Sequence, residues 1–141
     1  MINLQDKVSP SQGFVNSIDQ IKGIIENALK NMKKILQDGA IFKEELNLLK
    51  GSCQINIIDL DFSFWIEFSD ITFNFKYSNK NKKDVKLKVY VKSEHIFDIF
   101  RDLVKAKEYY AKGHIVLEGS LRYALHFIKF MQDLYQLTKK A

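Results

Sequence analysis

Apolar positions near the start of the chain recur at spacings of three and four: Ile18, Ile21, Ile25, Ala28, Met32 and Ile35, with Leu29 and Leu36 widening the stripe. That period predicts a surface helix with one apolar face. Asp38-Gly39 is suited to end it, because glycine tolerates the left-handed backbone that terminates helices. A second short helix, about 41–50, carries Ile41, Leu46 and Leu49 and stops before Gly51.

The period then drops to two. Cys53, Ile55 and Ile57 alternate with Gln54 and Asn56. Phe62, Phe64, Ile66 and Phe68 alternate with Ser63, Trp65, Glu67 and Ser69. Ile71, Phe73, Phe75 and Tyr77 alternate with Thr72, Asn74 and Lys76. After a polar turn, 78–84, Val85, Leu87, Val89 and Val91 alternate with Lys86, Lys88, Tyr90 and Lys92. Four consecutive strands with one buried face predict an antiparallel meander whose Phe-rich side must be covered by helices.

Helical spacing returns after Ser93, a residue suited to N-capping. Ile96, Phe97, Phe100, Leu103 and Val104 form a stripe, and 106–112 holds Tyr109 and Tyr110. His114 to Glu118 predicts a fifth strand between Gly113 and Gly119, and Ser120 opens a last helix reaching about Thr138. On a helical wheel Gln136, Lys129, Arg122, Asp133 and His126 share a sector of about 80°, and nearly everything else is apolar. The apolar arc spans roughly two-thirds of the circumference, against a usual stripe of about 100° or somewhat more. One face covers the sheet. Flanking helices, a second subunit or a bound ligand remain open for the surplus.

Composition narrows the function classes. The 141 residues suit a single domain, and 46% hydrophobic residues supply a real core. Net charge is +5, yet Arg101 and Arg122 are the only arginines. Base readout and phosphate clamping favour the bidentate arginine fork, and the aromatics fall on buried strand faces, so nucleic acid is not an expected partner. The lysines Lys80, Lys82 and Lys83, with Asn79 and Asn81, read as a solvated tip or as one attracted to an anionic membrane surface. The polar amino terminus shows no signal peptide and no apolar run reaches the length of a membrane span, so a cytoplasmic location is expected.

Candidate chemistry is sparse. His95, His114 and His126 fall on a cap, a strand and a helix, with no spacing that gathers metal ligands. Cys53, the only cysteine, sits on a presumed buried face, where an inert packing thiol is the default. Asp59 and Asp61 are turn residues by type. No Gly-rich phosphate loop is present. The expectation is no catalysis, no metal and no cofactor.

From Gly51 to the end, the order of these pieces resembles the sterol carrier protein type 2 family. Carrying the resemblance are Phe64-Trp65-Ile66-Glu67-Phe68, the strand Val85 to Val91, Ser93-Glu94-His95-Ile96-Phe97 opening a helix, and Ala111 to Leu125, where a Gly-bounded strand runs into the final helix. The family usually has Gly-Asp at that junction; here Ser120 replaces the aspartate and remains a capping type. Residues 1–50 correspond to the family's variable N-terminal helices.

The resemblance implies an α+β domain: a five-stranded, mostly antiparallel sheet covered by helices, with an apolar tunnel between sheet and C-terminal helices. Its ligand would be a fatty acid, acyl-CoA, sterol or isoprenoid, and its role non-catalytic binding or transfer. Candidate lining residues are Phe73, Phe75, Leu87, Val89, Phe97, Phe100, Tyr110, Leu125, Ile128 and Met131. Transient membrane-surface contact and a homodimer stay open. The alternative is an accessory module that dimerises, or docks onto a lipid-pathway enzyme, through its apolar helices.

Overall fold

The computed structural model describes residues 10–37, 41–78 and 84–140, without the side chains of 10–17, 100, 103 and 140. The elements are α1 (Pro10–Gln37), α2 (Lys43–Leu49), β1 (Gly51–Ile57), β2 (Phe62–Phe68), β3 (Phe73–Tyr77), β4 (Leu87–Val91), α3 (Ser93–Arg101), α4 (Leu103–Ala111), β5 (Ile115–Gly119) and α5 (Leu121–Lys140). Helices and strands thus follow the predicted order, in an α+β arrangement with one five-stranded sheet.

The strand order is β3-β2-β1-β4-β5. Three of the four pairings are antiparallel, but β1 and β4 run parallel, with Cys53 opposite Leu87 and Ile57 opposite Val91. This corrects the expected meander, since β4 does not fold back onto β3 as a hairpin. Alternation of Leu87, Val89 and Val91 reports a buried face and says nothing about which strand lies alongside. The lysine tip proposed for that connection (Lys80, Lys82, Lys83, with Asn79 and Asn81) lies outside the described residues, as does the Asp38-Gly39 stop.

The apolar residues of alternate positions converge on one side of the sheet. Cys53, Ile55, Phe64, Ile66, Phe73 and Leu87 are among the most deeply buried residues. Phe68 joins sheet to helix, with ring centroids 6.0 Å from Phe127 and 5.8 Å from Phe130 in edge-on geometry. Ile71 departs from the pattern. It precedes β3 in a turn and is 75% exposed, because β3 begins at Phe73.

The wide apolar arc of α5 is taken up by neighbours, since α1, α2, α3, α4 and β5 all pack on this helix. Tyr123, Ala124, Phe127, Ile128, Phe130, Met131 and Leu134 are buried, and Gln132 with them. Gln132 donates from Nε2 to the carbonyl of Ile99 at 2.6 Å, satisfying an acceptor left open at the C-terminal end of α3. Tyr123 likewise donates to the carbonyl of Leu49, at the end of α2, at 2.7 Å. Burial pushes the Tyr123 phenol well above its ordinary value.

Helix starts are capped in three ways. The Ser120 hydroxyl accepts the Tyr123 amide, as its type predicts. Asp102 accepts the amides of Val104 and Lys105 at the start of α4. Ser93, expected as an N-cap, is instead the first helical residue of α3. Its amide and hydroxyl donate to Asp59, at 2.8 and 2.6 Å, so a carboxylate from the β1–β2 turn caps the helix from outside. Partial burial raises the Asp59 pKa, but those two bonds and the charge of Lys92 outweigh it and hold the carboxyl below its usual range.

Candidate functional site

Between the C-terminal end of α1, the start of α2 and the β2–β3 turn lies a cleft of about 530 Å³. Leu36 and Leu46, both buried, and the half-buried Phe42 form its floor. The helical spacing that buries Leu36 also brings Lys33 and Gln37 to the rim. Phe42 is fixed edge-on against Phe130 of α5, with centroids 5.4 Å apart. Ile71 and Thr72 make the opposite wall. The Thr72 hydroxyl oxygen is occluded there and has no hydrogen-bond partner.

Charge at the rim is unbalanced. Lys33, Lys43 and Asp70 line it, but Asp70 is already paired with Lys50 at 2.6 Å. Lys33 donates to the Asn74 amide oxygen at 2.7 Å, a neutral partner. An apolar floor beneath two lysines suits a molecule with a greasy body and an anionic or strongly polar end.

A second, smaller void of about 60 Å³ lies further along α1, open to the surface beside the exposed Ile24 and Arg101. Ile25, Ala28, Leu29 and Met32 face Phe64 of β2, Phe97 of α3 and Tyr135 of α5. Its walls are apolar except for Arg101 at one end and the Tyr135 phenol. At this size it admits about two water-sized molecules.

The ten lining candidates distribute unevenly. Phe73, Leu87, Val89, Ile128 and Met131 are buried in the packed core, and Phe75 is partly buried against it. Phe97 lines the small void. Tyr110 and Leu125 are 46% and 42% exposed, and the Phe100 side chain lies outside the described residues. The sequence pattern marks Leu36 and Leu46 as apolar helix positions and Ile71 as part of a strand, none of them as ligand-lining, and does not single out Phe42. That these residues meet in one cleft depends on tertiary contact.

The histidines are less dispersed than their sequence positions suggest. The rings of His95 and His114 lie 5.0 Å apart, and Tyr109 stacks on His95 at 4.3 Å while donating to Asp98 at 2.8 Å. No group of three or more His, Cys, Asp or Glu side chains placed to hold a metal occurs among the described residues. Cys53 is fully buried, and burial drives its thiol pKa far upward despite a bond with the Ile66 backbone that lowers it. Among the described residues no helix is long and apolar enough to cross a membrane.

Solved structures with the same fold include a ubiquinone synthesis protein described as UbiJ-SCP2, at TM-score 0.65 and 12% identity, covering 80% of this chain and 97% of that one. The sterol carrier protein domain 2 of Helicoverpa armigera matches at TM-score 0.57 and 10% identity, over 77% and 85% of the two chains. Sterol carrier protein 2 from Yarrowia lipolytica, in its apo form, matches at TM-score 0.54 and 16% identity, over 76% and 88%. These likenesses bear on the fold. A search of curated protein sequences finds no match. The family model reaches further upstream than the resemblance read from the sequence, taking in about the last third of α1 and all of α2. It is the model of the SCP-2 sterol transfer family, it matches residues 29–132, and the chain belongs to that family.

Proposed function

We propose that this protein binds a lipid-like molecule without transforming it, in the apolar space between the sheet and the helices, and that the α1–α2 cleft is the entrance. The observation carrying this reading is the cleft itself: an apolar floor, a volume within the ~300–1,000 Å³ typical of ligand sites, and Lys33 and Lys43 at the rim. Those lysines favour a fatty acid, an acyl-CoA or an isoprenoid with an anionic end over a neutral sterol.

Burying about ten methylenes at ~0.8 kcal/mol each yields a gross gain of about 8 kcal/mol. Association and ordering costs of several kcal/mol leave weak to micromolar affinity. That range suits a carrier, which must release what it captures. Family membership and the deeply buried thiol of Cys53 support a non-catalytic role.

Organic extraction of the purified protein with mass spectrometry, and titration with a fluorescent fatty acid, test the reading. Saturable binding is expected, weakened several-fold by Ile71→Trp, which fills the cleft from an exposed position, and by Lys33→Glu with Lys43→Glu. Absence of both co-purified lipid and saturable binding rejects it.

A second reading, an accessory or dimerising module, draws on Leu121 and Leu125. They lie one turn apart on α5 and are 48% and 42% exposed. The fold shared with a ubiquinone synthesis protein is in keeping with such a role. Sedimentation that shows a monomer while the fatty-acid probe binds counts against it.

A further inference from the structure

The cleft and the smaller void share one wall. α1 contributes Lys33, Leu36 and Gln37 to the first, and residues from Ile24 to Met32 to the second. From residue 24 to residue 37 is about 20 Å along a helix at 1.5 Å per residue. Met32, 2% exposed, lines the smaller void and is followed along α1 by Lys33 of the cleft. Methionine is unbranched and re-packs readily, which makes it a poor permanent partition.

The way α1 is fastened differs from the way α5 is. Among described side chains, α1 buries only Ile25, Leu29, Met32 and Leu36 fully. Ile18, Ile21 and Ile35 pack against the core only partly buried, and polar ties along the sheet margin complete its fastening. The Tyr77 hydroxyl on the edge strand β3 donates to the Lys22 carbonyl at 2.9 Å, and Lys33 donates to Asn74 of the same strand at 2.7 Å. The Lys22 ammonium stands 5.2 Å from the Phe62 ring centre and 5.3 Å from that of Tyr77. Such contacts exchange with water at small net cost. α5, by contrast, is enclosed by helices and buries twice as many side chains.

Resting on the carrier reading above, we infer that α1 is the ligand gate: its outward movement shifts Met32 aside and joins cleft and void into one channel, and the Tyr77–Lys22 bond is the latch that closes it. A gate of this kind governs how fast a ligand enters and leaves. The latch re-forms over the bound ligand, so the equilibrium affinity is set elsewhere.

Tyr77→Phe tests this, because it removes one hydroxyl and keeps the ring packed against Phe62 and Phe64. Hydrogen exchange on the apo protein is expected to show amides 25–36 exchanging faster than amides 127–134. The variant is expected to speed the α1 set about five-fold, the ratio for one typical hydrogen bond, and to leave the α5 set unchanged. Stopped-flow mixing with 12-anthroyloxystearate is expected to show uptake and release both faster by that factor, at an unchanged dissociation constant. Equal exchange of the two helices, or wild-type exchange and uptake rates in the variant, overturns the gate. If the probe fails to bind wild-type protein, the carrier reading fails and the gate falls with it. If it binds and Tyr77→Phe changes no rate, only the gate falls.

Discussion

Alanine at Gly23, Gly113 and Gly119 meets three different surroundings, and together the three variants separate backbone strain from steric contact. Gly23 lies inside α1 with nothing within 4 Å of an added Cβ. Gly23→Ala therefore gains only helix propensity, about 0.5–1 kcal/mol. Gly113 also has open space around it but sits at φ +80°, so Gly113→Ala carries strain alone, about 1–2 kcal/mol. Gly119 carries both burdens. Its φ is +129°, and an added Cβ stands 2.4 Å from the Lys86 carbonyl oxygen and 3.2 Å from the Leu87 Cα, both backbone atoms. Relief requires β5 to part from β4 at the Leu87–Gly119 pair, losing bonds of about 0.5–1.5 kcal/mol each on top of the strain. The total for Gly119→Ala is about 3 kcal/mol, a large share of the 5–15 kcal/mol typical of a domain. Urea unfolding followed by far-ultraviolet circular dichroism and by fluorescence of Trp65, the only tryptophan, reads all three. With a slope of about 1–3 kcal/mol per molar urea, the midpoint rises slightly for Gly23→Ala, falls for Gly113→Ala, and falls by about 1–3 M for Gly119→Ala. A Gly119→Ala midpoint equal to that of Gly113→Ala would refute the close approach of β5 to Lys86.

Three further outcomes follow from single side chains. Gln132→Leu removes the donor to the Ile99 carbonyl and leaves a buried acceptor unmet, so stability should drop by about 1–3 kcal/mol in urea titration; no loss would mean that water reaches that carbonyl. Asp59 has its carboxyl pKa lowered by folding from the ordinary 3.8, so its contribution is present above that value and disappears as pH falls through the folded one. Asp59→Ala should therefore cost about 0.5–1 kcal/mol at neutral pH, given the solvent exposure of the site, with the gap to wild type closing in acid unfolding curves. Cys53 should resist a thiol reagent in the native state and react once urea unfolds the chain; prompt labelling of folded protein would contradict its burial.

Much of the architecture was legible because it rests on local periodicity. Spacing of three and four identified the α1 stripe and α5, alternation identified β1 to β4, and the bounding Gly113 and Gly119 identified β5, each strand to within about two residues. Ser120 and Gly119 were legible for a stronger reason, since a cap and a left-handed glycine are demands of the backbone at single positions. Ser93 misled because its hydroxyl suits an N-cap equally well as a donor to a distant carboxylate. Asp59 lies 34 residues away in the chain, and only the fold brings it there.

The sequence by itself determined which residues are helical or extended, which face of each is apolar, and, through the order of those pieces, the family. The tertiary structure decided what each apolar face meets. It set β4 parallel to β1, because one-sided alternation is satisfied by either neighbour. It gave the surplus apolar arc of α5 to flanking helices, because a wheel counts apolar surface and cannot name its cover. It also put the cleft among Leu36, Phe42, Leu46 and Ile71, from three elements whose meeting no local pattern encodes. A void is a property of how faces fail to close on one another, and that is settled only when all of them are in place.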